Sequence, residues 1–190
     1  VLSGVMEQYT AAGSELIVVF ESNGDSRTSG ETRMLEALRA AALYGVPEKN
    51  VVFLGYGDTG SDQTKHLYNM APGDEIRRSS AGRTHTYGLA SHPAFRSSDY
   101  TRDNLVRDCK DLLETYLPDT IYCVDYDAHP DHRATSLVFE EALGKVLQER
   151  ADYAPLVCKG FAYQTAWQAV DDFYSDNLLS TVKASQTPYM

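Results

Sequence analysis

Long apolar runs are absent from this sequence of 190 residues. A membrane-spanning helix needs about 18 or more consecutive apolar residues, and no segment approaches that length. We therefore predict no membrane span. The chain is long enough to bury one sizeable core, and we expect a single domain over residues 1–190.

Positive charge is also scarce. The 17 lysines and arginines are outnumbered by 27 aspartates and glutamates, which gives a formal net charge of −10. No basic run interrupts this balance, so the overall field repels a phosphate backbone. Nucleic acid is therefore not a predicted partner.

Cysteine is the third scarcity. Cys109, Cys123 and Cys158 lie in segments that read as helix or strand, without the paired spacing of a disulfide framework. They look like buried thiols, which favours a reducing compartment such as the cytoplasm. The chain starts at Val1 with helical spacing, so no targeting signal can be read, and we expect further sequence upstream.

What is present is an alternation of short apolar runs and amphipathic helices. The runs have the β-rich composition of strands covered on both faces, and they occupy residues 15–22, 50–58, 120–125 and 155–163. Helices are predicted over residues 31–45, 99–119 and 132–150. This order predicts an α/β fold with a mostly parallel sheet between two helical layers.

Two of these helices have a predicted inward face. For the first we expect Met34, Leu35, Leu38, Ala41 and Ala42 to point inward, and for the second Leu105, Cys109, Leu112, Leu113 and Tyr116.

A polar stretch from residue 55 to residue 98 shows no sustained periodicity. Structureless loops of this length are uncommon in compact domains and are usually functional, so we interpret it as a substrate-side excursion. His66, His85 and His92 within it are expected to be surface residues. The tail from Gln164 is predicted to form a loop and a short helix.

Histidines and aspartates are most concentrated in "DYDAHPDH", residues 125–132, at the end of the third predicted strand. Sites in open α/β sheets gather at the carboxyl ends of strands. Pro130 suits the first position of a helix, which puts His129 near the cap and His132 in the first turn. A helix N-terminus favours the neutral imidazole that a metal needs, and neighbouring carboxylates can fix its tautomer.

The competing interpretation is that Asp125, Asp127 and Asp131 only cap the helix while the histidines are solvated. The position at a strand end favours function. Asp25, in "SNGD" at the end of the first strand, has the same two interpretations: a pocket residue or ordinary turn chemistry.

The sequence resembles the PIG-L/LmbE family of zinc-dependent N-acetylglucosamine deacetylases. His129-Pro130-Asp131-His132 matches the family's H-x-D-H signature at a strand end. The likeness extends to "AAGSELIVVFESNGD", "ETRMLEALRAAALYGVPEKNVVFLGYGD" and "PDTIYCVDYDAHPDHRAT" in the same order. The fold it implies is an LmbE-like, three-layer Rossmann-like sandwich.

The resemblance also implies roles for individual residues. His132 is the zinc ligand of this motif, His129 stabilises the oxyanion, and Asp131 orients His129. Arg33 and Asp58 match the family's sugar-contacting positions. The implied substrate is a small N-acetylated amino sugar or its conjugate, and the implied cofactor is Zn²⁺ or another divalent metal.

One family feature is missing. The signature A-H-P-D-D, which supplies the other two ligands and the general base, belongs just before the first helix, and we expect it together with its strand upstream of Val1. An inactive carbohydrate-binding relative therefore stays an alternative. A nucleotide-binding module ranks last because no G-x-G-x-x-G or P-loop follows a strand. A homo-oligomer is left open.

Overall fold

The computed structural model describes residues 3–60, 66–71, 73, 75–127 and 129–162. The predicted loop and helix from Gln164 lie outside this part of the chain. The described helices and strands follow the predicted order. They are α1 (Ser3–Ala11), β1 (Val18–Ser22), α2 (Gly30–Leu43), β2 (Val51–Tyr56), α3 (Arg102–Tyr116), β3 (Thr120–Val124), α4 (Pro130–Glu149) and β4 (Leu156–Gly160).

The strands pair in parallel. Val18 of β1 lies opposite Val51 of β2, and Thr120 of β3 lies opposite Leu156 of β4. The predicted mixed α/β character and the parallel pairing are therefore confirmed. Within the described residues the strands form two two-stranded sheets, so the single larger sheet is not seen there.

Side-chain caps define where the helices begin. Ser29 accepts a hydrogen bond from the Thr32 amide at the start of α2, and Thr101 does the same for the Asn104 amide at the start of α3. Such caps satisfy amides that the first helical turn leaves without a partner. At the other end of α3, Leu117 adopts the left-handed conformation with φ of 42°, which stops the helix before Pro118.

The core is centred on β2, whose six residues are all buried. The inward face of α2 is narrower than predicted: Met34 and Ala41 are buried, whereas Leu35 is 42% exposed and Ala42 is also exposed. One residue of a helix turns the side chain by about 100°, which carries Leu35 off the Met34 face. Tyr116, predicted to be inward, is 38% exposed in the last turn of α3.

The described part of the predicted loop over residues 55–98 packs onto β2. The amide of Tyr87 donates to the carbonyl of Gly55 (3.2 Å), and the Tyr100 hydroxyl donates to the same oxygen (3.1 Å). Gly55 has φ of +87°, and a Cβ there would lie 2.7 Å from the Tyr87 carbonyl oxygen. Only glycine permits this approach, so the excursion forms a fixed wall beside the carboxyl end of β2.

Helices α3 and α4 are joined by a charged contact. The Arg102 guanidinium donates to the Glu141 carboxylate (2.5 Å) and lies over the ring of Tyr68, 4.5 Å from its centroid. Tyr68 belongs to a short 3₁₀ turn, Leu67–Asn69, within the excursion. Neither of these helices, nor any other in the described part of the chain, is long and apolar enough to cross a membrane.

Candidate active site

The two histidines of the 129–132 motif lie together at the start of α4. His129 is the N-cap, Pro130 is the first helical residue and His132 lies in the first turn, as predicted. Their ring centroids are 4.6 Å apart and the ring planes are tilted by 35°. The motif therefore presents two neighbouring imidazoles at the carboxyl end of β3.

Hydrogen bonding assigns the tautomer of His129. Its Nδ1 accepts the backbone N–H of Asp131 (3.2 Å), so this nitrogen carries the lone pair. In the neutral ring the proton then sits on Nε2. His129 is thereby prepared to donate a hydrogen bond from the far side of its ring.

His132 has the opposite tautomer. Its Nδ1 lies 2.8 Å from Oδ2 of Asp127, and because a carboxylate only accepts, Nδ1 carries the proton. The lone pair of the neutral ring is then on Nε2. A histidine that donates Nδ1–H to a carboxylate has the arrangement typical of a metal ligand.

Asp131 joins the motif to the end of β2. Its buried carboxylate accepts hydrogen bonds from the hydroxyl and the amide of Thr59, while its own amide supplies the contact to His129. Burial raises the pKa of Asp131; the Thr59 hydrogen bond opposes this effect and the nearby charge of Asp58 reinforces it. The contact between Asp131 and His129 is thus made by the backbone amide, and an orienting role for Asp131 stays a prediction.

Asp25 and Asp58 lie together at the ends of β1 and β2. Oδ1 of Asp25 accepts the Asp58 amide (2.7 Å), and Oδ2 accepts the Tyr87 hydroxyl (3.3 Å). Asp25 is buried and has a partner on each oxygen, so it holds the two strand ends and the excursion in register. Asp58 is half-buried and accepts the Gly60 amide (2.5 Å).

Arg33 lies beside the turn that carries Asp25. Its half-exposed side chain pairs with Glu36 (2.6 Å) and crosses Gly24, where a Cβ would lie 3.3 Å from the arginine Nε. A side chain at residue 24 would push Arg33 away from the turn that carries Asp25. The structure therefore groups Asp25, Asp58, Asp131 and the two histidines, with Arg33 at the margin.

A small, open cleft lies next to Asp58 and Thr59. Its polar lining also includes Glu21, His66, Arg77 and Tyr100. The cleft is lined by residues from the ends of β1 and β2 and from the excursion, and the substrate-side role of that segment stays a prediction.

His66 overturns an expectation, because the predicted surface histidine is only 4% exposed. Its Nε2 lies 2.8 Å from Oε1 of Glu21, and its Nδ1 accepts the Tyr68 amide (3.1 Å). Burial lowers the pKa of His66, but the charge and hydrogen bond of Glu21 outweigh it, so the pKa is raised. The sequence could have indicated Glu21 as a residue near the site, because it is a charged residue at a strand end. No sequence pattern indicates that His66 is buried beside it.

These observations define a mixed α/β protein with a paired-histidine site at the end of a parallel strand. The family model described as PIG-L, GlcNAc-PI de-N-acetylase, matches residues 1–143, so the chain belongs to the PIG-L family. The resemblance drawn from the sequence is therefore confirmed. None of the curated proteins matches the chain. Membership places the chain among hydrolases of the deacetylase type.

Of the ligands that the family's zinc implies, the described residues supply one. His132, with Nδ1 on a buried carboxylate, has the chemistry of a metal ligand. Within the described ranges no group of three histidine, cysteine, aspartate or glutamate side chains is arranged to hold a metal ion. The fit is therefore to one ligand rather than to a complete set.

Proposed function

We propose that this chain carries part of the site of a zinc-dependent deacetylase that hydrolyses an N-acetylated amino sugar or its conjugate. Water adds to the acetamide carbonyl, the C–N bond breaks, and acetate and a free amine leave. The observation that carries the proposal is the pair of opposite tautomers at the start of α4. His129 offers an N–H and His132 offers a lone pair on neighbouring rings.

Each tautomer suits one role. The Nε2–H of His129 is the donor that stabilises negative charge on the carbonyl oxygen and can pass a proton to the leaving amine. Nε2 of His132 is the nitrogen that would hold the metal. When bound, a divalent zinc ion lowers the pKa of a water molecule and polarises a carbonyl.

Other residues position the substrate in this proposal. Asp131, fixed by Thr59, orients His129 by holding the amide that meets Nδ1. Arg33, Asp58 and Asp25 form the sugar-binding side, with Asp25 acting mainly through the amide of Asp58. The further ligands that the family's zinc requires are assigned to residues outside the described ranges.

We also propose how the site is housed. The two parallel sheets, together with the packing of α2 and α3 on β2 and of α4 on β3, support a three-layer Rossmann-like sandwich and a single domain over residues 1–190. The excursion over residues 55–98 forms the substrate side. The free state of all three cysteines supports a reducing compartment such as the cytoplasm.

Zinc content and acetate release test this function directly. The full-length protein is titrated with zinc and incubated with N-acetylglucosamine and a glycoside of it, and acetate is quantified. We expect one zinc per chain and measurable release. His132→Ala should lose both zinc and activity, whereas His85→Ala, at an exposed histidine, should retain both. Equal zinc content and activity in His132→Ala would remove this residue from the site.

The incomplete ligand set favours one alternative. An inactive carbohydrate-binding relative would need no zinc, in accordance with the absence of a three-ligand group from the described residues. It predicts that N-acetylglucosamine binds with the same affinity with and without a chelator, and that no acetate appears. Chelator-sensitive acetate release excludes this alternative.

A further inference from the structure

A fully buried carboxylate lies behind the two histidines. Asp127, between the end of β3 and the start of α4, is 1% exposed. Its Oδ2 accepts Nδ1–H of His132 (2.8 Å) and the amide of Ala162 (3.0 Å), and its Oδ1 accepts the amide of His129 (2.8 Å). Two donors from the start of α4 and one from the segment after β4 therefore converge on this side chain.

Burial of a carboxylate is costly unless hydrogen bonds compensate for the lost water. Both oxygens of Asp127 receive backbone N–H groups, which fix the carboxylate plane before the imidazole of His132 is considered. The ring of His132 then meets an acceptor with a set position. An exposed aspartate, free to rotate, would not impose a ring orientation in this way.

We propose that Asp127 is a positioning residue: it holds His132 in the Nδ1–H tautomer so that Nε2 is presented to the metal. This inference rests on the proposed function, because it needs His132 to be a ligand. Loss of a carboxylate behind a ligating histidine typically weakens metal affinity by about 10- to 100-fold. We expect a loss of this size for Asp127→Asn.

The chain offers a matched control two residues away. Asp125 also follows β3, but its carboxylate accepts the amide of Tyr126 (2.8 Å) and lies 3.8 Å from Nζ of Lys159. Among the described residues it makes no contact with a histidine. Asp125→Asn removes the same charge from the same strand end without touching His132.

Competition with a chelator measures the zinc affinity of the full-length protein. Wild type, Asp127→Asn, Asp125→Asn and His132→Ala are compared, each with its thermal midpoint. The inference expects Asp127→Asn to bind zinc about 10- to 100-fold more weakly and Asp125→Asn to stay within about threefold of wild type. A parallel series with Co²⁺ reads the ligand geometry from the visible spectrum, which a purely structural role would leave unchanged.

The outcomes separate the inference from the function beneath it. If His132→Ala loses zinc but Asp127→Asn binds it like wild type, the positioning role is wrong and the proposed function stands. If wild type binds no zinc, or His132→Ala binds it normally, the proposed function fails and the inference fails with it.

A second measurement needs no variant, which covers the case in which Asp127→Asn does not fold. The ¹⁵N chemical shifts of the His132 ring in the metal-free wild-type chain report which nitrogen carries the proton. The inference expects the proton on Nδ1. A proton on Nε2 alone would overturn the inference, whatever the zinc affinities show.

Discussion

Thr59 donates both its hydroxyl and its amide to the carboxylate of Asp131, and so fixes the loop after β2 to the first turn of α4. These residues are 72 positions apart in the sequence, and both are buried. Because the amide of Asp131 in turn meets Nδ1 of His129, the contact connects the Asp58 side of the site to the histidines.

Thr59→Val removes this hydroxyl while keeping the shape of the side chain. The buried carboxylate loses a hydrogen bond, which costs about 1.5–3 kcal/mol of unfolding free energy because the acceptor is charged. We also expect a fall in kcat greater than any change in KM, since His129 loses its fixed neighbour.

Urea unfolding and acetate release measure the two effects. Thr115→Val, whose hydroxyl only meets the Asp111 carbonyl of its own helix, is the control, and an equal loss there would contradict the assignment.

Gly30, the first residue of α2, lies close to Tyr87 of the excursion. A Cβ there would lie 1.3 Å from the Tyr87 hydroxyl oxygen and 2.3 Å from the adjoining ring carbon, so Gly30→Ala displaces a buried ring that binds Asp25. We expect a loss of about 1–3 kcal/mol in unfolding free energy.

Gly144 in α4 is the matched control for that substitution. A Cβ at Gly144 meets no atom within 4 Å, so Gly144→Ala should stabilise the chain by about 0.5–1 kcal/mol through helix propensity. If both variants shift the unfolding midpoint in the same direction, the contact between Gly30 and Tyr87 does not hold in solution.

The ion pairs of Glu141 with Lys145 and Arg102 predict a pH dependence. Burial raises the pKa of Glu141, but hydrogen bonds from Lys145 and Tyr68 and the charges of Lys145 and Arg102 outweigh it, so the pKa lies below its usual 4.5. A lowered pKa stabilises the fold above the unfolded-state value, and this stabilisation is lost as the pH falls through the folded-state value. Glu141→Gln should therefore cost about 1 kcal/mol at pH 7 and less at pH 3.

Urea unfolding of both proteins at the two pH values checks this sign. Glu149→Gln is the control, because Glu149 also pairs with a cation, Lys110, but is 59% exposed. We expect little change for it at either pH. A Glu141→Gln difference that grows on acidification would contradict the direction of the pKa shift.

The sequence predicted the start of α4 well because the signals there are local. Pro130 has a fixed φ that suits the first helical turn, and it follows an apolar strand directly, so His129 and His132 were placed by chain geometry alone. The same pattern could not reveal Asp127 as more than a cap, since its importance depends on Ala162 and His132 reaching it in three dimensions.

Long-range contacts explain the other differences between the predicted and the observed structure. His66 is buried because Glu21, 45 residues earlier, accepts from it, and no local pattern encodes that partner. Periodicity predicted Leu35 to be inward, but the packed face of α2 is only as wide as the surface that β2 offers to Met34 and Ala41. The excursion lacks periodicity because its order comes from single contacts to β2 rather than from a regular element.

The attachment of the excursion to Gly55 has a practical consequence for engineering. A surface loop that determines specificity can usually be exchanged between relatives, because the scaffold beneath it makes few contacts that depend on the loop sequence. Here the scaffold strand itself is shaped for its loop, since Tyr87 and Tyr100 both bond to the carbonyl of a glycine that has no room for a side chain. A chimera that grafts a new substrate wall onto this protein should therefore transfer β2 together with the loop.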